Sequence, residues 1–190
     1  MKKIAIVCFV STIASLLLFS CTSFSNPIIK HSDSIIDESL LGLWRENPAD
    51  SESDIYILVL KDNNNLTYKT ITFNTSNYEF ESDVLEYPNL IYSGFFDNEK
   101  YIIVYINDNN SYFFWKYELE NDILRLFSID ETFIENAINE KQLNGKISGQ
   151  GLKKEIFVDE DTDTLQKFVK ENKQQLFNTC NFVEYKKQLN

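Results

Sequence analysis

Asp159, Glu160, Asp161 and Asp163 form the densest run of carboxylates in this chain. Acids at alternating positions begin a calcium loop, because a hard cation collects oxygen ligands. The loop is not completed: Thr164 stands where the sharp turn requires Gly, and Lys170 where a bidentate Glu belongs. Acids gathered at a helix N-terminus, where the backbone dipole favours negative charge, account for the same run. Paired carboxylates also work on glycosidic bonds, but such pairs meet in space rather than in sequence. A chain with 29 acidic residues offers too many pairs to choose among. Cys180 is the candidate thiol nucleophile. The single histidine, His31, falls in a Ser-rich stretch expected to be a linker, so a neutral, buried Cys180 is the expectation. A Gly-rich phosphate loop, a Ser-centred nucleophile elbow and a His pair for zinc are all missing from the sequence. The residues therefore assign no catalytic side chain, no metal and no cofactor.

Cys21 carries another chemistry. Lys2 and Lys3 precede the apolar run Ile4 to Phe19, which as a helix spans roughly 24 Å, short of the roughly 30 Å of a bilayer core. Ser20 is small, and Leu18-Phe19-Ser20-Cys21 resembles the lipobox of bacterial lipoproteins. The resemblance implies that residues 1–20 are a signal peptide, that the Cys21 thiol takes a diacylglyceryl group, and that cleavage leaves Cys21 as the N-terminus. Two or three acyl chains, at about 0.8 kcal/mol per buried methylene, make a stable membrane anchor. Thr22, where the family's retention rule places Asp, implies the outer membrane or cell surface of the envelope.

Loss of Lys2 and Lys3 takes the formal charge from −11 to −13. An acidic surface excludes nucleic acid as a partner and excludes charge as the means of membrane attachment. Arg45 and Arg125 are the only arginines, too few for a phosphate-binding cluster. Cys8 leaves with the signal and Cys21 is acylated, so Cys180 has no cysteine to pair with. Residues 21–36, Ser-rich with one Pro, read as the lipidated cysteine and a flexible tether of about 20 Å reach. Residues 37–190 read as one domain, long enough to bury a core.

Most of that domain reads as strand. Ile55–Leu60, Leu66–Phe73, Leu90–Phe96, Tyr101–Ile106, Tyr112–Leu119 and Ile123–Ile129 are β-branched and aromatic, with Asn- and Asp-rich turns between several of them. A two-residue loop at Asn121-Asp122 sets Glu120 opposite Ile123 and Glu118 opposite Arg125. Trp115, Tyr117, Leu119, Leu124 and Leu126 then share an apolar face, and Lys116, Glu118 and Arg125 a polar one. Helices are expected over Glu131 to Gln142, capped by Asp130 and closed near Gly145, and over Asp163 to Phe177, capped by Asp161 or Thr162. Glu155–Val158 and Asn181–Tyr185 read as short strands.

Leu40-Leu41-Gly42-Leu43-Trp44-Arg45, followed by successive antiparallel hairpins, resembles the opening of lipocalin-like proteins. In that family the Gly lets the first strand turn in, and the Trp closes one end of an up-and-down barrel. The resemblance implies a mainly β fold, a lipocalin-like antiparallel barrel with two late helices. Ser82-Asp83-Val84-Leu85-Glu86-Tyr87 only loosely echoes the family's Thr-Asp-x-x-Tyr motif, and no C-terminal-strand arginine is present to pack over Trp44.

The aromatics suit either a filled barrel core or a ligand cavity. Trp44, Trp115 and Tyr117 are the candidate barrel-lining residues. The expected function is a non-enzymatic, lipid-anchored envelope lipoprotein that binds a small apolar molecule. The alternatives are an inhibitor- or immunity-like protein that presents the Asp159–Asp163 face to an envelope protein, and an enzyme with unrecognised carboxylate chemistry.

Overall fold

The computed structural model describes residues 22–47, 55–62, 65–74, 81–83, 90–151, 154–178 and 181–188. The signal segment, Cys21 and Cys180 lie outside the described residues. Strand β1 (Thr22–Phe24) precedes a barrel built from β2 (Gly42–Glu46), β3 (Ile55–Asp62), β4 (Thr67–Asn74), β6 (Leu90–Phe96), β7 (Glu99–Ile106), β8 (Ser111–Glu120), β9 (Ile123–Phe127) and β12 (Phe182–Lys187). Each pairs antiparallel with its neighbour, and the β8–β9 and β9–β12–β2 pairings close the ring at eight strands. A short strand β5 (Glu81–Asp83) adds to β4. The fold is a mainly β, lipocalin-like up-and-down barrel.

Two-residue loops set the register. Asp97 and Asn98 (φ 48° and 62°) and Asn121 and Asp122 (φ 51° and 63°) occupy the left-handed region that such loops require and that Asn and Asp tolerate. Glu118 lies opposite Arg125 and Glu120 opposite Ile123, as the hairpin reading expects. The ion pairs fall elsewhere: Arg125 Nε binds Glu184 Oε2 on β12 at 3.0 Å, and Lys116 binds Glu118 at 2.9 Å.

The polar face of that hairpin is only partly polar. Phe114 and Phe127 share it, and both are buried. They join a second apolar layer outside the barrel, where Tyr92, Tyr101 and Ile103 from the wall meet helix α1 (Glu131–Asn139), strands β10 (Gly145–Ser148) and β11 (Glu155–Val158), and helix α2 (Thr162–Glu171) with the single turn α3 (Lys173–Leu176). Asp130 caps α1 through Phe133 N, and Asp161 caps α2 through Thr164 N. α1 stops short of Gln142 because Lys141 turns out at φ 61°. Gly145 does not end the helix but opens β10, where an added Cβ would meet Phe157 O at 2.6 Å. The expected long last helix is broken at Asn172, whose Nδ2 donates to the Phe168 carbonyl at 2.9 Å.

The tether expected over residues 21–36 is instead folded wherever it is described. β1 pairs parallel with β11 and antiparallel with β8. Phe24, Ile28 and Ile29 are buried in the outer layer, Tyr92 Oη donates to Ile29 O at 2.8 Å, and Ile35 pairs with Ser93. Ser-rich composition favours a linker, but apolar residues placed against an uncovered barrel wall gain more by burial than the segment loses by ordering.

Candidate functional site

Residues 37–40 plug one end of the barrel. Glu38–Leu40 form a 3-10 turn, and three lysines on three strands hold it. Lys100 on β7 reaches Asp37 Oδ2 at 2.8 Å, Lys61 on β3 reaches Glu38 at 4.0 Å, and Lys187 on β12 donates to Ser39 O at 3.0 Å. Tyr117 Oη donates to Asp37 Oδ2 at 2.8 Å, and Ser39 N and Oγ complete the shell of the carboxylate. Burial alone pushes the Asp37 carboxyl up, but Lys100, Ser39 and Tyr117 together outweigh it and hold it at about 2. Tyr68 Oη accepts from Asp37 N at 2.7 Å and bonds Ser93 Oγ at 2.8 Å, which extends the network across the wall.

Below the plug lies Trp44, 1% exposed, with Nε1 donating to Leu40 O at 2.8 Å. Gly42 at φ 124° turns the chain in from the plug. Lys187 Nζ stands 5.1 Å from the Trp44 ring centre, close enough for a cation–π contact. Trp44, Tyr68, Tyr117, Leu124 and Tyr185 form the packed core of this end. Trp44 and Tyr117 therefore belong to the closure, whereas Trp115 lies further along the wall opposite Ile102, on the same inward register as Tyr117.

Ile57, Ile102, Val104, Phe113, Leu126 and Val183 share the register of Trp44 or Tyr117 and so point inward. Each is only partly buried. Four of them, Ile57, Ile102, Leu126 and Val183, pack against that plugged-end core, and Trp115 and Ser111 on the same inward register are buried. The half of the barrel away from the plug is served by the longer connections, whereas Asp97-Asn98 and Asn121-Asp122 are tight turns at the plugged end. Ser111, at the far end of β8 from the plug, keeps a buried Oγ without a hydrogen-bond partner among the described residues.

Glu46 is on the inward register of β2, and Asp83 and Glu81 of β5 pair with Thr72 and Asn74, which stand opposite Ile57 and Ile55. Glu46 ends β2 opposite Tyr185, two residues on from Trp44, and is partly buried. Its side chain has no hydrogen-bond or ion-pair partner among the described residues, and burial pushes its carboxyl above the usual range. Sequence reading missed Glu46 and the lysines, because alternation tells inward from outward only after the neighbouring strands are known.

A cleft of about 900 Å³ lies outside the barrel between the β6–β7 turn, β8 and the α2–α3 segment, floored by Phe177. Five of its charged residues are engaged with one another: Lys173 binds Asp97 at 2.8 Å and Glu99 at 3.7 Å, Lys170 binds Asp97 at 3.5 Å, and Lys116 binds Glu99 at 3.7 Å. These contacts dock helices on the barrel. Two acids of the Asp159–Asp163 run have structural roles: Glu160 Oε1 accepts from Asn144 N at 2.6 Å and Asp161 caps α2. No group of three or more His, Cys, Asp or Glu suited to a metal ion occurs among the described residues, and no described helix is long and apolar enough to cross a membrane. The chain matches no family model, no curated protein and no solved structure.

Proposed function

We propose that this protein is a lipid-anchored envelope lipoprotein whose barrel binds a small apolar ligand. The observation that carries the reading is the partial exposure of inward-facing apolar side chains in a closed barrel, among them Ile57, Ile102, Phe113 and Val183. Pockets for small molecules are largely apolar with a few polar groups, and Trp115, Phe113 and Glu46 supply that mixture. The anchor is Cys21. Because Thr22 is buried and paired with Ile156, an acyl group on Cys21 holds the barrel directly at the bilayer rather than on a flexible leash.

The ligand reading is tested by native mass spectrometry on the chain carrying Cys21→Ser, purified from a whole-cell extract. A reproducible added mass, released by organic solvent and identified as an apolar molecule, is the expected result. A clean apo mass that stays clean after incubation with lipid extract overturns the ligand reading and leaves a protein-partner role. The anchor is tested separately by labelling cells with radioactive palmitate. Label should appear on the wild-type chain and vanish with Cys21→Ser, and label that persists refutes Cys21 as the site.

A further inference from the structure

We infer that the plugged end of the barrel rests on the bilayer, with Leu60, Leu66 and Phe95 seated among the lipid headgroups. The inference rests on the Cys21 anchor proposed above and names the face of the domain that the anchor brings to the membrane.

Two independent observations point to this end. The first is where apolar surface stays uncovered. Leu60, Leu66, Phe95 and Phe182 are the large hydrophobic side chains left exposed among the described residues. Three of them lie at the plugged end. Leu60 precedes Lys61, which holds Glu38 of the plug. Leu66, 50% exposed, closes the β3–β4 turn, and Phe95, 56% exposed, stands just before the tight Asp97-Asn98 turn. Leu66 and Phe95 flank one strap of chain, since Leu66 O accepts from Ser34 Oγ at 3.4 Å and Ile35 pairs with Ser93. The second observation is the direction of β1. Phe24 stands opposite Tyr112 in an antiparallel pair, and β8 runs from Ser111 towards the Asn121-Asp122 turn at the plugged end. The N-terminal end of β1, to which Cys21 is joined, therefore lies on the plugged side. Thr22 is buried and paired with Ile156. One residue spans at most about 3.6 Å, so no slack carries the anchor round to the opposite end. Single exposed apolar residues need no partner, but these share the end to which the anchor points. Lys61 and Lys69 stand beside and opposite Leu60, and lysine stems lie along apolar surface while their ammonium groups stay in water. Both are paired, with Glu38 and Asp62, so apolar burial rather than net charge seats this end, and a zwitterionic bilayer is the matching surface.

The test uses the acylated chain with Cys180→Ser, purified from membranes and reconstituted in phosphatidylcholine vesicles. A bimane fluorophore is placed on Asn65→Cys at the plugged end, or on Asn109→Cys in the β7–β8 turn at the opposite end. The quencher is phosphatidylcholine with a nitroxide on its acyl chain. Quenching should be at least about threefold stronger at position 65 than at 109, because interfacial apolar groups bury only about 5–10 Å deep. Leu66→Ser with Phe95→Ser should abolish that difference while the chain stays on the vesicles. Both side chains are exposed, so the fold is kept, and circular dichroism verifies it. Equal quenching at the two positions, stronger quenching at 109, or a difference that survives the double substitution overturns the inference and leaves the anchor standing. A dimer in detergent that the double substitution dissociates, together with equal quenching, assigns this face to a second copy and overturns the inference as well. A chain that does not float with the vesicles refutes the anchor, and this inference fails with it.

Discussion

Asp37→Asn removes the charge at the centre of the plug while keeping the shape of the side chain. The Asp37 side chain is 13% exposed and Lys100, its partner at 2.8 Å, is 36% exposed. In the folded chain the carboxyl sits at about 2 against an ordinary 3.8. That difference corresponds to about 2 kcal/mol at neutral pH, and solvent screening of the half-exposed lysine reduces the expected loss to about 1–2 kcal/mol. For a domain of this size such a loss lowers the melting temperature by about 3–6 °C. The sign with pH is determined. The folded carboxyl is depressed, so its stabilisation is fully present above the unfolded value and is lost as pH falls towards about 2. The assay is urea unfolding of wild type and Asp37→Asn at pH 7, 4 and 3. The gap between the two should be nearly full at pH 7, and about half of it should remain near pH 3. A gap that is the same at pH 7 and pH 3 refutes the electrostatic account, because it assigns the loss to packing. No gap at pH 7 refutes the plug as a contributor to stability.

Removal of residues 22–36 should unfold the outer layer. Phe24, Ile28 and Ile29 are each at most 3% exposed, and at about 1.5–3 kcal/mol per buried side chain their loss is comparable to the stability of a typical domain. A truncated chain with native near-ultraviolet circular dichroism and no binding of a hydrophobic dye would show the segment to be a dispensable tether after all. Gly94→Val should loosen the same segment, since a Cβ at Gly94 lies 2.9 Å from Ile29 Cγ2 and overpacking costs about 1–3 kcal/mol. Faster amide exchange at residues 28–30 is the readout, and unchanged protection there would count against the contact. Lys187→Met should cost about 0.5–2 kcal/mol by removing the cation over Trp44, while Lys187→Arg should recover most of it. Equal melting temperatures for the two variants would show that the ammonium contributes little.

Local chemistry was legible in the sequence wherever neighbours along the chain decide it. Asn121-Asp122 can form only a few turns, so the β8–β9 register followed from the turn and the apolar alternation together. Asp130 and Asp161 were readable as caps because a cap bonds an N–H three residues away. Gly42 and Trp44 announced the barrel opening, and their places at φ 124° and in the packed end fit that reading.

What the tertiary structure decided is everything that depends on which side of a wall a residue occupies. Phe114 and Trp115 are adjacent aromatics that the sequence cannot rank, yet one packs under the helices and the other lines the lumen, since successive strand residues face opposite ways and both faces of this wall are covered in part. The Ser-rich stretch after Cys21 reads as linker by composition, but a barrel face left apolar by Tyr92, Tyr101 and Phe114 takes it in as a strand and a buried strap. Lys61, Lys100 and Lys187 are distant in sequence and meet only because closure of the ring brings β3, β7 and β12 to one end around residues 37–39. Glu46 has the same character: standing opposite Tyr185 it shares the inward register of Trp44, while Arg45 beside it faces the other way.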